Sequence, residues 1–388
     1  MKYKFIIAFF IFFLAPIVAM ADPDRPQENF VEKQISQLGI DEIKEYWEEV
    51  VTEYGGFLPE NQKGSFMDFV RGDKNFSIKE WMMGFVRYFL HELIVNGKLL
   101  GTLILLTVFS TILQNLQNAF EKNTVSKVAN AIVYMVLMII AINSFYVAVS
   151  YAQGAISSMI SFMIALLPLL LALLASIGSL TSVALFHPLI IFLVNTSGLL
   201  IQNFVLPLLF LSAMLSLVST LTDHYKVTKL ANLLRNISIG TLGIFLTIFL
   251  GVISVQGAVT AVTDGITIRT AKFVTGNFIP VVGRVFTDAA DTVMGASILL
   301  KNTVGIVGLA ILLLISVFPA IKVLALALIF NLAAAILQPL GGGAITDSLS
   351  IIGKAVLFVF AALATVSLMF FLAITIMVAA GNLSLMMR

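Results

Sequence analysis

The sequence predicts an all-α fold: a polytopic membrane helix bundle of eight or nine spans, preceded by a small helical extracytoplasmic region. Three observations predict it. The 388-residue chain is 59% hydrophobic and 11% charged, with a mean hydropathy of +1.03, a surplus that a water-soluble globule does not carry. Apolar runs of the roughly 20 residues needed to cross a bilayer recur along most of its length. The charges are also segregated: residues 22–98 hold 15 Asp/Glu and 9 Lys/Arg, a net of −6, whereas residues 99–388 hold 12 Lys/Arg and 6 Asp/Glu, a net of +6. An acidic, water-compatible head thus precedes a hydrophobic body whose few charges sit mainly between apolar runs. A large soluble enzyme and a basic nucleic-acid surface are excluded. The absence of cysteine excludes disulfides, thiolate metal centres and thiol nucleophiles.

At the N-terminus, Lys2 and Lys4 precede an apolar run from Phe5 to Val18, and Ala19-Met20-Ala21 places small residues where a signal peptidase reads. Residues 1–21 therefore read as a cleaved signal peptide, since a run of about 14 residues is too short to span. Export of the head, residues 22–98, then orients every later helix.

Within the head, Ile40, Ile43, Trp47, Val50, Val51 and Tyr54 recur at helical spacing until Gly55-Gly56 ends the run. Phe66, Phe69 and Val70 mark a shorter helix. Ser77-Ile78-Lys79-Glu80 has the capping-box pattern and opens a third helix through Trp81, Phe85 and Phe89. That helix is expected to lie in the headgroup layer with Lys79, Arg87 and Glu92 toward water, the plainer alternative being helix-on-helix packing. Arg71-Gly72-Asp73 spells an adhesion tripeptide and His91-Glu92 begins like a zinc-protease helix, but neither has the context its chemistry requires.

The body, residues 99–388, offers nine apolar stretches, at 99–117, 129–150, 156–177, 183–202, 204–221, 237–259, 304–321, 323–340 and 355–380. The divisions at Asn203 and Lys322 are the weakest. With the head exported, the first, third and fifth connections fall in the cytoplasm, where Lys122 and Lys127, then Lys226, Lys229 and Arg235, give the expected positive excess. Arg388 lands inside as well. The long connection 260–303 is the exception: expected outside and structured, it carries Arg269, Lys272, Arg284 and Lys301 against Asp264, Asp288 and Asp291.

Polar groups at membrane depth are the candidates for a pore or for assembly. Asn195 and Gln338 lie within or beside spans, where an interhelical hydrogen bond is the plainer role. Lys322, three residues after Pro319, marks a cytoplasmic turn unless 304–340 is one continuous element, in which case its charge lines a path. Pro280 and Arg284 belong to a Gly- and Pro-bearing segment, 277–284, of the kind that builds re-entrant structure. No acid is placed deep in a span, which disfavours ion-coupled transport. Nucleotide, nucleophile-elbow and metal signatures are absent, and the three histidines, His91, His187 and His224, have no ligand spacing. No catalytic residue, cofactor or metal site is expected. Energy for work across the membrane then has to come from a separate protein, with Lys226, Lys229 and Arg235 as its cytoplasmic docking handle. Three functions stay open: a channel or export-gate subunit, a stand-alone small-molecule permease, and an assembly scaffold without a pore. The only internal echo, Leu167-Pro168-Leu169-Leu170 with Leu206-Pro207-Leu208-Leu209, is too short to support a permease built from repeats.

Longer strings carry a resemblance. Glu53-Tyr54-Gly55-Gly56, Asn96-Gly97-Lys98-Leu99-Leu100-Gly101-Thr102, Leu230-Ala231-Asn232-Leu233-Leu234-Arg235-Asn236, Asp264-Gly265-Ile266-Thr267, Arg269-Thr270-Ala271-Lys272-Phe273, the segment 277–284 and Gln338-Pro339-Leu340-Gly341-Gly342-Gly343 resemble the stage III sporulation protein AE family of Bacillus-type endospore formers, over nearly the whole mature chain. The resemblance implies a multi-pass protein of the mother-cell membrane around the forespore. It would be a non-enzymatic part of the secretion-like channel complex required for late forespore gene expression and forespore sigma factor activity. It also implies assembly as an oligomer with other stage III sporulation proteins of the same operon, including a cytoplasmic ATPase and a ring-forming component. A forespore-side partner across the intermembrane space and a YidC-type insertase complete the expected partners, with the lipid bilayer itself. The family supplies no catalytic residues to carry over.

Overall fold

Main-chain amides surrounded by hydrocarbon can bond only within their own segment, so a chain this apolar is expected to be helical nearly throughout. The computed structural model describes residues 41–59, 77–119, 124–221, 226–278, 282–340 and 343–386, and these form nine α-helices. They are α1 (Asp41–Tyr54), α2 (Ile78–Val95), α3 (Gly97–Ala119), α4 (Thr124–Ser176), α5 (Leu180–Leu200), α6 (Leu206–Leu221), α7 (Thr228–Phe278), α8 (Val282–Leu337) and α9 (Ala344–Met386). The signal peptide, Ile40, the second head helix at Phe66–Val70, Pro280 and Arg388 lie outside the described residues.

The expected eight or nine spans differ from the six helices long and apolar enough to cross a membrane: Lys79–Leu113, Ala131–Ser176, Leu180–Thr220, Thr228–Ala271, Met294–Leu337 and Ala344–Asn382. Three of the divisions read from the sequence do not interrupt the backbone. Residues 151–155 contain no proline or charge, and α4 runs through them for 53 residues. Lys322 sits on α8, which continues past Pro319 for a total of 56 residues. Asn203 lies in a five-residue π-turn, Ile201–Val205, joining α5 to α6. There the Leu206 N–H bonds Ile201 O, five residues back, immediately before Pro207, which has no N–H to give. At about 1.5 Å per residue α4 and α8 are roughly 80 Å long, more than twice a hydrocarbon layer of about 30 Å. The expected connection 260–303 is accordingly the far ends of α7 and α8, helical from 260 to 278 and from 282 to 303.

α4, α8 and α9 form the centre, and α2, α3 and α7 are the least buried. Phe145, Phe162, Phe249, Phe318, Phe330 and Phe370 fill the core. Glycine permits the closest approaches: a Cβ at Gly308 of α8 would stand 2.8 Å from Leu166 of α4, the small-residue contact on which lipid-embedded bundles rely. The turn from α4 to α5 is a Schellman motif, with Gly178 at φ +83°, Gly178 N–H on Ala175 O at 2.9 Å and Ser179 N–H on Leu174 O at 3.0 Å.

α1 buries Ile43, Trp47 and Val50 at the predicted spacing. Its acidic face stays outward, while its apolar face lies on α4 and α8. Tyr46 meets Phe162 edge-on at 5.4 Å, and Tyr54 stacks on Phe318 at 4.1 Å. Phe85 and Tyr88 of α2 meet the same Phe318 at 5.7 and 4.9 Å. Burial, and then the Glu53 carboxylate beside it, pushes the Tyr54 hydroxyl well above its ordinary range, so it stays neutral at physiological pH. In α2, Lys79 and Arg87 are exposed as expected, but Glu92 does not face water: it is buried, as is Tyr88, and Asn96 Nδ2 donates to its carboxylate at 3.1 Å. Packing on α8 covers one face of this helix, while Met82, Met83, Val86, Leu90 and Ile94 stay exposed on the other. Ser77 precedes it in extended conformation but makes no side-chain cap bond, so the capping-box chemistry is not used.

Phe318→Ala removes the ring on which both head helices pack, a change of about 3–5 kcal/mol for a buried phenylalanine. Limited proteolysis of the detergent-purified chain should then cut faster within residues 41–59, and Phe318→Leu should show a smaller acceleration.

Candidate functional site

Charged side chains in the bundle gather at three levels. At mid-length, α8 carries Lys322 into a cavity of about 200 Å³ shared with Asn96, Asn143, Ser144 and Tyr151. Asn143 and Tyr151 are eight residues apart on α4 and so share a face. Lys322 Nζ lies 4.3 Å from the centroid of the Tyr151 ring, a cation–π contact that partly replaces lost hydration. The expected cytoplasmic turn at Lys322 is therefore corrected. The residue is half-buried on an unbroken helix, the condition under which its charge can line a path.

At one end of the bundle, a cavity of about 270 Å³ is lined by Lys226 from the stretch before α7, Arg235 of α7 and Lys354 of α9, among others. The Arg235 guanidinium lies 5.6 Å over the Phe358 ring. Hydroxyls brace this end: Tyr134 pairs with Thr220 at 2.8 Å and with Ser348 at 2.9 Å, tying α4, α6 and α9. Ser212 Oγ donates to Ala231 O at 2.7 Å, joining α6 to α7. Of the three residues expected to form a docking handle, Lys226 and Arg235 come together here, while Lys229 is outside the lining. Lys354 was missed because more than a hundred residues separate it from Arg235. Its signal was a single cation near the start of the last apolar run.

At the other end, Asp264 is 1% exposed. It accepts Thr181 N–H at 2.9 Å, Ser182 N–H at 3.0 Å and Ser182 Oγ–H at 2.6 Å. A carboxylate at the first turn of α5 satisfies amides that have no partner within their own helix and complements the positive helix end. Lys301 is equally buried, donating to Val378 O at 3.0 Å and Asn382 Oδ1 at 2.7 Å. The expectation that Asp264 and Lys301 are loop charges is corrected: each lies on a long helix, where hydrogen-bond partners permit burial.

The remaining candidates do not join one site. Asn195 is exposed on α5 and donates to Ile191 O of its own helix at 2.9 Å, so it makes no interhelical bond there. Gln202 makes one instead, to Ser157 Oγ at 2.9 Å. Gln338 is exposed in the short 3₁₀ turn after α8, and Arg284 falls in the first turn of α8. Among the described residues no group of three or more His, Asp or Glu side chains is placed to hold a metal ion.

A bundle of long apolar helices with its charges satisfied inside, and with head helices packed on its flank, defines an integral membrane protein with multiple transmembrane helices. Comparison with known proteins narrows the class. Residues 61–381 match the family model described as stage III sporulation protein AE. The chain is 66% identical over 361 residues, 93% of its length and 90% of the relative's, to "Stage III sporulation protein AE" of Bacillus subtilis (strain 168). This chain belongs to the stage III sporulation protein AE family. No solved structure matches it.

Asp264→Ala leaves two amides and a hydroxyl without their buried acceptor, a loss of about 1–3 kcal/mol for each group that water cannot reach. The thermal unfolding midpoint in detergent should fall, with Asp264→Asn, which keeps one oxygen acceptor, lying between the variant and the parent.

Proposed function

We propose that this chain is a non-enzymatic membrane subunit of the channel or secretion-like complex that joins mother cell and forespore, and that it serves late forespore gene expression through forespore sigma factor activity. The family and its Bacillus subtilis member support the sporulation role. The observation that supports a conduction path over an inert scaffold or a stand-alone permease is Lys322. A half-buried cation among amides and hydroxyls at mid-length of an apolar bundle is costly in lipid and suits a water-filled route.

In this reading residues 1–21 are removed as a signal peptide, and the head, residues 22–98, lies outside the cytoplasm. Six crossings replace the eight or nine. The connections between the first and second, third and fourth, and fifth and sixth crossings then face the mother-cell cytoplasm, with Lys122, Lys127, Lys226, Lys229, Arg235 and Lys354 on that side, as the positive-inside rule asks. An even number of crossings sends the C-terminal end outward, opposite to the direction that nine spans imply. Lys226, Lys229 and Arg235 form the docking handle for the cytoplasmic ATPase, with Lys226 and Lys229 exposed. The other proteins of the operon, the ring-forming component among them, assemble around an oligomer of this chain. The forespore-side partner is met across the intermembrane space, and a YidC-type insertase places the helices.

The cysteine-free chain makes the test direct. Single cysteines at Asn143, Ser144 and Tyr151, and along 183–221 and 264–343, are treated with a membrane-impermeant maleimide in sporulating cells. Labelling at the positions around Lys322, with Leu332 and Ile336 silent, is the expected pattern. Silence at Asn143, Ser144 and Tyr151 with normal assembly would leave only a scaffold.

A further inference from the structure

The cavity at the basic end of the bundle is built from chain segments far apart in sequence, and the charged side chains among its described lining residues are all basic. Lys226, Arg235 and Lys354 line it, and among the described lining residues there is no carboxylate. Cations brought to one cavity repel one another, and an anion between them offsets that repulsion. The neutral lining adds short donors suited to oxyanions, Ser219, Thr220, Thr228 and Asn232 among them. Ser219 and Thr228 hydroxyls stand 2.8 Å apart, holding α6 and the start of α7 in register at the cavity wall. Guanidinium, ammonium and hydroxyl donors converging on one volume are the set that recognises a phosphate group.

The surroundings identify what carries that phosphate. At about 270 Å³ the cavity lies just below the roughly 300–1,000 Å³ typical of sites that engulf a whole small molecule, so it suits a headgroup. The other side of the lining is apolar, with Leu209, Ile351, Ala355 and Phe358. The helices that form the cavity expose Leu211, Val218, Leu230, Leu233 and Leu357, a surface for acyl chains and not for water. Basic pockets between membrane helices hold anionic headgroups in this way.

We propose that Lys226, Arg235 and Lys354 form a binding site for the phosphate of an anionic phospholipid, with its acyl chains along α6, α7 and α9. The bound lipid bridges three helices at the bundle end where the Tyr134–Thr220–Ser348 hydroxyls already meet. The site requires no conduction path and stands apart from the channel reading.

The experiment is native mass spectrometry of the full chain purified in neutral detergent, titrated with phosphatidylglycerol, with phosphatidylcholine and, separately, with inorganic phosphate in competition. The parent should retain phosphatidylglycerol in preference to phosphatidylcholine. The triple variant Lys226→Gln, Arg235→Gln, Lys354→Gln should bind phosphatidylglycerol at least about tenfold more weakly, given the contribution of each cation near a headgroup. Lys44→Gln, on the exposed face of α1, should match the parent. If the triple variant does not elute as a folded species, Lys354→Gln alone, at an exposed position, must weaken retention. Equal retention by the variants, no preference between the two lipids, or displacement of the lipid by equimolar inorganic phosphate would overturn the proposal, the last by assigning the site to a soluble anion.

Discussion

Main-chain hydrogen bonding is the constraint from which the rest of this architecture follows. A helix in hydrocarbon that stops must leave carbonyls and amides without partners, so stopping needs a local device. Among the described residues such devices are few: the Gly178 turn, the Asn96 junction, and the breaks that precede α7 and α9. Where no device is present the helix continues, even past Pro168 and Pro319. Continuity then decides where charges can go. Lys301 and Lys322 ride on α8 because the helix around them does not end, and each reaches a partner from inside the bundle.

The buried charges are handled differently at the three levels. Asp264 accepts three donors at a helix start, and Lys301 donates to a carbonyl and an amide; both act as pins between helices. Lys322 instead faces an aromatic ring and a small polar cavity, a looser arrangement that leaves volume beside the charge. Lys226, Arg235 and Lys354 share a cavity whose described lining residues include no carboxylate. The first two arrangements need nothing more, whereas the last two leave room for something to enter.

Much of the fold was legible because hydrophobic length and helical spacing report local physics directly. The apolar runs, the α1 stripe of Ile43, Trp47 and Val50, the break at Gly55-Gly56 and the gap between 177 and 183 all follow from residues near one another in sequence. The merging of nine stretches into six helices was not legible. Lys322 and Asn203 resemble boundaries until a tertiary partner, Tyr151, or a π-turn ahead of Pro207 accommodates them. The site was half legible for the same reason: Lys226 and Arg235 are neighbours in the chain, whereas Lys354 joins them only through packing. Asp264 looked like a loop acid because its role, capping a helix more than eighty residues earlier, leaves no local trace.

The Phe318 hub has a consequence for biogenesis. Tyr54 and Phe318 are separated by roughly 260 residues, which a ribosome adding about 5–20 residues per second needs some tens of seconds to bridge. Throughout that interval the oily side of the first head helix has only the α4 part of its seat, around Phe162, because the Phe318 ring has not yet been made. The N-terminal segment is thus fully translated early but finished late, and the nascent chain must be shielded from self-association until its fifth long apolar helix arrives.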